Sequence, residues 1–333
     1  MNDTIDKEKS PRVKIPKWLQ YLIAAVPIAW IFWHVNLHDL AFALKRVTPW
    51  SIPVYTVLVL LSISLQGVRW WALVRAFVPG LGFGRTMSFH FAGLFYSIAL
   101  PGSAQDVVRA LLVSQHADYS VVWGATWLSR IIALCVLAVL SVFGIFVLDS
   151  SRLPPGFLLS MVSAFVVLSV LFLASFSKRI TSPGRPLLKK ILPAGFFGIL
   201  ENIREAVYKY RSKKAAVLGA GLLTLLMWLT LIAATCLAIK GITGKLFISE
   251  CIAYVPIIEL LCIAIPITPN GLGIREALTG VMFLHLGLST EQLGIYIVFG
   301  FYSIMLKIVG VIPVLVGTVG PSRAAKTAGN TLS

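Results

Sequence analysis

Charge is scarce in this chain, and acid is scarcer than base: 13% of the 333 residues are charged, with 13 Asp or Glu against 29 Lys or Arg. A soluble globular domain carries roughly 25%. Cysteine is rarer still, and Cys135, Cys236, Cys251 and Cys262 all lie inside apolar runs with no Cys-x-x-Cys spacing. That pattern supports neither a zinc site nor a disulfide framework, and the four are expected to be reduced packing residues. His34 and His38 stand four apart while His90, His116 and His285 are scattered, so no metal site is expected. A phosphate-binding loop is missing too: in Gly241-Ile-Thr-Gly-Lys245 the lysine precedes Leu246 where Ser or Thr is needed, and Ile239 stands where the first glycine belongs. No serine or cysteine has the surroundings of a nucleophile elbow. No module interleaves basic and aromatic residues, so nucleic acid is not an expected partner. No cofactor is expected, and nothing marks the chain as an enzyme.

Apolar side chains fill the space that charge leaves. At 58% hydrophobic, the chain has more apolar surface than a soluble fold can bury. A bilayer core about 30 Å thick takes about 20 helical residues to cross. Runs of that length fall near 18–36, 51–71, 119–148, 156–177, 215–239 and 291–318, giving about six full spans. Two further apolar regions, 87–113 and 250–288, are broken by Leu-Pro-Gly-Ser-Ala-Gln-Asp and by Pro-Ile-Thr-Pro-Asn-Gly-Leu-Gly. Each reads as two short helices joined by irregular backbone, either a re-entrant hairpin or a pair of tightly packed spans. The expected fold class is all-α: a polytopic transmembrane helical bundle forming one domain at 18–319, between a basic tail at 1–17 and a tail at 320–333. The basic N-terminus precedes an apolar run with no small-x-small cleavage site, so that run is read as a retained first span. Trp18, Trp50, Trp70 and Trp71 lie near span ends and read as an interfacial belt.

With both broken regions taken as re-entrant and the N-terminus in the cytosol, cytoplasmic segments hold twenty Lys and Arg: five in 1–17, three in 69–86, ten in 178–214 and two after 318. External loops hold five, Lys45, Arg46, Arg152, Lys240 and Lys245. This asymmetry follows the positive-inside rule and predicts a multi-pass protein of a bacterial cytoplasmic membrane with both termini in the cytosol. Loop 178–214 is the largest and most basic, and its amphipathic second half is expected to lie on anionic headgroups.

The two broken regions then face each other in inverted orientation, and their sequences correspond. Residues 100–112 and 265–278 both run from proline through small and polar residues to an Arg-bearing helix start. Inverted repeats with broken helices build midplane sites in many secondary transporters, so an internal inverted repeat is read here. Pro101, Gly102, Pro266, Pro269, Gly271 and Gly273 are the structural breaks, and irregular backbone at membrane depth calls for a polar cavity beside them. Charged residues in apolar runs usually face a cavity or a partner, because inserting each costs about 2.5–3.5 kcal/mol. Asp106, Arg109, Arg130, Glu259, Arg275, Glu276 and Lys307 are the candidates, with Asn270 at the second break. Internal neutralisation would pair Asp106 with Arg109 or Arg130 and Glu259 with Lys307, and give Arg275 and Glu276 partners on opposite helix faces. Four cations against three carboxylates leave one for an anionic ligand, a phosphate above all.

These motifs together resemble a known family. Arg69-Trp70 ends a span; a run from Phe89 to Gly102 carries Phe91, Gly93 and Phe95 and ends in Leu-Pro-Gly; Asp106 and Arg109 follow; and Pro266-Ile-Thr-Pro-Asn-Gly-Leu-Gly273 precedes Glu276. Over residues 18–318 this is similar to the flippase-like transmembrane domain of lysylphosphatidylglycerol synthases. That family includes the membrane half of the bacterial multiple peptide resistance factor and stand-alone proteins of about this length, some associated with hopanoid lipids. The resemblance implies movement of a lipid between leaflets. Two departures stand out: Ala104-Gln105-Asp106 replaces the family's common Gly-Gly-Asp run, and the sequence holds no aminoacyl-transferring domain, so synthesis of a lysyl lipid is not expected.

The expected function is a lipid translocator, with Arg109, Arg130, Arg275 and Lys307 holding a lipid phosphate while Asp106, Glu259 and Glu276 orient them or meet a positive headgroup. The expected partners are membrane lipids, anionic or phosphate-bearing, with a homo-oligomer or an envelope-enzyme partner left open. The rivals are a membrane-embedded enzyme acting on a lipid-linked phosphate or sugar, with Asp106 and Glu276 about 5–10 Å apart as acid and base, and an accessory subunit of an envelope lipid enzyme. The topology has a direct check. In a cysteine-free background, an impermeant maleimide added to spheroplasts should label Lys245→Cys and spare Lys213→Cys until the membrane is opened, and the reverse labelling would invert the chain.

Overall fold

A computed structural model of the chain describes residues 47–98, 104–148, 194–264 and 274–316, with the isolated positions 45 and 166. Every regular element among the described residues is helical. Four are long and apolar enough to cross a membrane: α1 (Ser51–Arg75), α4 (Tyr119–Val147), α6 (Lys214–Thr243), and α9 (Thr290–Leu306) continued through a 3-10 turn at Lys307–Gly310 into α10 (Val311–Leu315). They fall on the expected spans at 51–71, 119–148, 215–239 and 291–318. The spans expected at 18–36 and 156–177 lie outside the described residues, as do both tails, Pro101, Gly102, Pro266, Pro269, Asn270, Gly271 and Gly273.

Each broken region is a pair of shorter helices. The first gives α2 (Phe83–Tyr96) and α3 (Ala104–Ser114), the second α7 (Ile248–Ala264) and α8 (Ile274–His285). At 14, 11, 17 and 12 residues, none reaches the roughly 20 needed to cross alone. Helix α5 (Ala194–Lys209) and a 3-10 turn at Tyr210–Ser212 precede α6.

Local chemistry sets the ends of these elements. Asp118 caps α4 by accepting from the Ser120 and Val121 amides, and Ser289 and Gln292 form a capping box at the start of α9. Gly244, at φ 73°, closes α6 in the left-handed conformation and donates to the Lys240 carbonyl at 2.8 Å.

Inside the bundle, α1 packs along α6 as its main neighbour, and α4 packs along α7. The second contact has a specific cause. Pro256 lies inside α7 and cannot donate to the Ile252 carbonyl one turn earlier. Gly144 of α4 sits against that same carbonyl, where a Cβ would meet Ile252 O at 2.8 Å and Ala253 Cα at 2.5 Å. The glycine lets backbone cover the freed oxygen with weak Cα–H contacts, where a lipid chain could offer none. Outward faces carry exposed Leu218, Leu222, Phe146, Val57 and Ile312, as lipid contact requires.

Helix α5 departs from the expectation that this stretch lies on headgroups. Ala206, Val207 and Tyr210 are buried, Ala206 lies against Gly124 of α4, and the Tyr210 hydroxyl donates to the Leu73 carbonyl at 2.8 Å. These residues cover protein, and Gly124 leaves room for the close approach of Ala206. Replacement Gly144→Val should cost about 1–3 kcal/mol through overpacking against the α7 backbone, read as a lowered melting temperature in detergent. Gly219→Val, where a Cβ meets nothing within 4 Å, is the control expected to melt close to wild type.

Candidate functional site

The charged residues of the membrane interior divide into two groups. The first gathers where α1, α2, α3 and α4 meet. Asp106 receives Arg109 Nη2 on one carboxylate oxygen and Arg130 Nη1 on the other, each at 2.8 Å. Arg109 is 1% exposed, whereas Asp106 and Arg130 are 18% and 29% exposed, so the cluster is open only along its Asp106–Arg130 edge. The Arg109 guanidinium also lies 4.7 Å over the Trp70 ring and approaches His90 Nδ1 at 3.5 Å. Trp70 in turn donates to Thr126 Oγ1 at 3.0 Å, and His90 Nε2 meets the Ile63 carbonyl at 3.0 Å. Trp70, read from sequence as part of an interfacial belt, is instead fully buried, because Arg109 needs an apolar platform that tolerates positive charge.

Arg69 belongs to this group as well. The sequence placed it in a cytoplasmic loop, but α1 continues two turns further and buries it to 3% exposure, with Nη1 donating to Thr224 Oγ1 at 3.3 Å. Two guanidinium groups therefore share the Asp106 carboxylate, and Arg69 adds a third buried cation beside them.

The second group lines a cavity of about 220 Å³ enclosed by α1, α6, α7, α8 and α9. Glu259 of α7 accepts from Arg275 Nη2 of α8 at 3.0 Å. The expected pairing was Glu259 with Lys307; Arg275 takes the place because the two short helices of the broken region pack on each other. Glu276 and Lys307 line the same cavity. Arg275 and Glu276, neighbours about 100° apart on α8, both reach the cavity. Two cations and two carboxylates balance here.

Sequence reasoning missed the uncharged polar wall: Tyr55, Ser62 and Gln66 from α1, Thr235 from α6, Tyr296 from α9 and Gln105 from α3. Their spacing carried a signal, since Tyr55, Ser62 and Gln66 lie along one face of α1. Gln105 Nε2 donates to Gln66 Oε1 at 3.0 Å, which joins the first broken region to the cavity at its edge. Of the first group's four charged residues none lines the cavity, so Arg109 and Arg130 do not stand beside Arg275 and Lys307 as the sequence suggested.

A family model described as the lysylphosphatidylglycerol synthase TM region matches residues 17–310. The chain belongs to this family. No curated protein and no solved structure matches it. Gly93 of α2 gives α3 room for a close approach, because a Cβ there would meet the Gln105 carbonyl at 3.0 Å and Arg109 Cβ at 3.3 Å.

Asp106→Asn leaves two arginines without their counter-ion in a membrane interior. Breaking a buried pair of this kind costs about 3–5 kcal/mol, so the variant should melt well below wild type in detergent. The paired change Asp106→Asn with Arg130→Gln should recover part of the loss.

Proposed function

We propose that the protein is a lipid translocator of a bacterial cytoplasmic membrane, with both termini in the cytosol. Membership of a membrane-embedded family related to lipid handling supports this reading. The observation that carries it is the cavity: a polar, charge-balanced space inside an apolar helical bundle. Its 220 Å³ is smaller than the roughly 300–1,000 Å³ of pockets that swallow a whole drug-sized ligand. It suits a headgroup alone, with the acyl chains left in the bilayer. Arg275 and Lys307 would take the phosphate, and Glu259 and Glu276 a positive group on the same headgroup or the orientation of the two cations.

The enzyme alternative has less support. Asp106 spends both oxygens on Arg109 and Arg130 and does not line the cavity with Glu276, so the two do not share a substrate-sized space. An accessory role would leave the mixed charge of the cavity without a purpose.

Headgroup accessibility of fluorescent phospholipids in proteoliposomes tests the reading. Wild type should move lipid faster than empty liposomes, and Lys307→Met and Glu276→Gln, checked for folding, should slow it by about tenfold or more, the loss of roughly one charge-assisted contact. No movement above empty liposomes by wild type, with or without a proton gradient, sinks the proposal.

A further inference from the structure

Arg69 is a buried cation that meets no carboxylate of its own among the described residues. A guanidinium carries five N–H donors, and among the described residues this one makes a single hydrogen bond, to a threonine hydroxyl, with Nε unpartnered. Its charged neighbours are Arg109 and Asp106, and Asp106 is already shared between two other guanidiniums. Keeping such a group in an apolar interior is expensive unless an anion joins it.

The position of Arg69 says from where that anion would come. Ser62 and Gln66 line the cavity from α1, and Arg69 is the next residue on that face, three positions beyond Gln66. On α6 the cavity wall runs through Leu231, Trp228 and Met227, and the next residue on that face is Thr224, the partner of Arg69. The polar face of α1 thus continues one helical turn past the cavity, along the α1–α6 seam, where Thr224 meets it from α6. Between the two stands the Gln66–Gln105 hydrogen bond. Gln105 sits at the start of α3, whose next residue anchors the Asp106 cluster.

We infer that Arg69 is a second phosphate-binding position, reached from the cavity when the Gln66–Gln105 bond opens. This inference rests on the cavity being a headgroup site. The headgroup would meet balanced charge first and then a site with surplus positive charge, so phosphate is drawn along the seam and the glutamine pair sets when it passes. The ligand chemistry is a phosphate group, carried on a lipid or free.

Equilibrium binding to the full chain in a non-ionic detergent tests it. The probes are dihexanoylphosphatidylglycerol, the phosphate-free dihexanoylglycerol, and inorganic phosphate. Wild type should prefer the phospholipid over the diacylglycerol, and Arg69→Gln should weaken phospholipid binding by about tenfold or more without changing diacylglycerol binding. Inorganic phosphate that competes in an Arg69-dependent way assigns the site to free phosphate; failure to compete assigns it to the lipid-borne group. Should Arg69→Gln not fold, Gln66→Glu replaces it, because a carboxylate one turn away would occupy the Arg69 guanidinium and give the same loss. Phospholipid binding unchanged within about twofold in the folded variant, or no preference for phosphate in wild type, overturns the inference. Binding is read without transport: a chain that moves lipid but ignores Arg69 sinks only this inference, and one that binds phosphate through Arg69 yet moves no lipid sinks only the translocator reading.

Discussion

A carboxylate in the apolar interior is costly, and Asp106 is kept there by holding two guanidinium groups at once, each at 2.8 Å. That single shared anion ties α3 to α4 and fixes Arg109 against Trp70, which in turn reaches Thr126 of α4. Helix α3 has only 11 residues and packs on α2 at Gly93. Ala110 and Val113 of α3 are also fully buried in the core beside Trp70 and Leu73, so apolar packing and the ion pairs hold the short helix together. The first broken region is therefore organised by charge and packing together, and its glycine allows the backbone approach that both require.

The second broken region uses the same device for a different end. Arg275 follows its break as Arg109 follows the first, each pairs with a carboxylate, and each leaves its Nε without a partner. The surroundings differ. Arg109 is sealed among Trp70, His90 and Asp106, whereas Arg275 faces open space shared with Glu276 and Lys307. One region locks the bundle and the other lines a cavity, and the Gln105–Gln66 hydrogen bond ties the first of them to α1 at the cavity's edge. Surplus positive charge collects on the locked side, where Arg69 also lies.

The long helices were legible in the sequence because an apolar run of about 20 residues leaves few other choices. That each broken region holds two short helices was legible because proline and glycine clustered within a few residues disfavour one continuous helix. The sorting of charge was not. Whether Glu259 meets Arg275 or Lys307 depends on which helices pack together, and a linear pattern of apolar residues carries little about lateral neighbours. Arg69 and Trp70 misled for a related reason: Arg-Trp near the end of an apolar run reads as an interface anchor, yet α1 runs on to Arg75 and draws both residues inside. The amphipathic face of α5 likewise had two candidate partners, lipid surface or protein, and Ala206, Val207 and Tyr210 cover protein, with Gly124 on α4 leaving room for the close approach.

The central claim is that the cavity holds a lipid headgroup, and a photo-crosslinking phospholipid with a diazirine on its headgroup addresses it directly. After irradiation in proteoliposomes and peptide mapping, crosslinks should fall on the cavity-lining faces of α8 and α9, around Thr279, Tyr296 and Ser303. Crosslinks confined to the lipid-facing surface around Leu218 and Leu222, with none on α8 or α9, would contradict it.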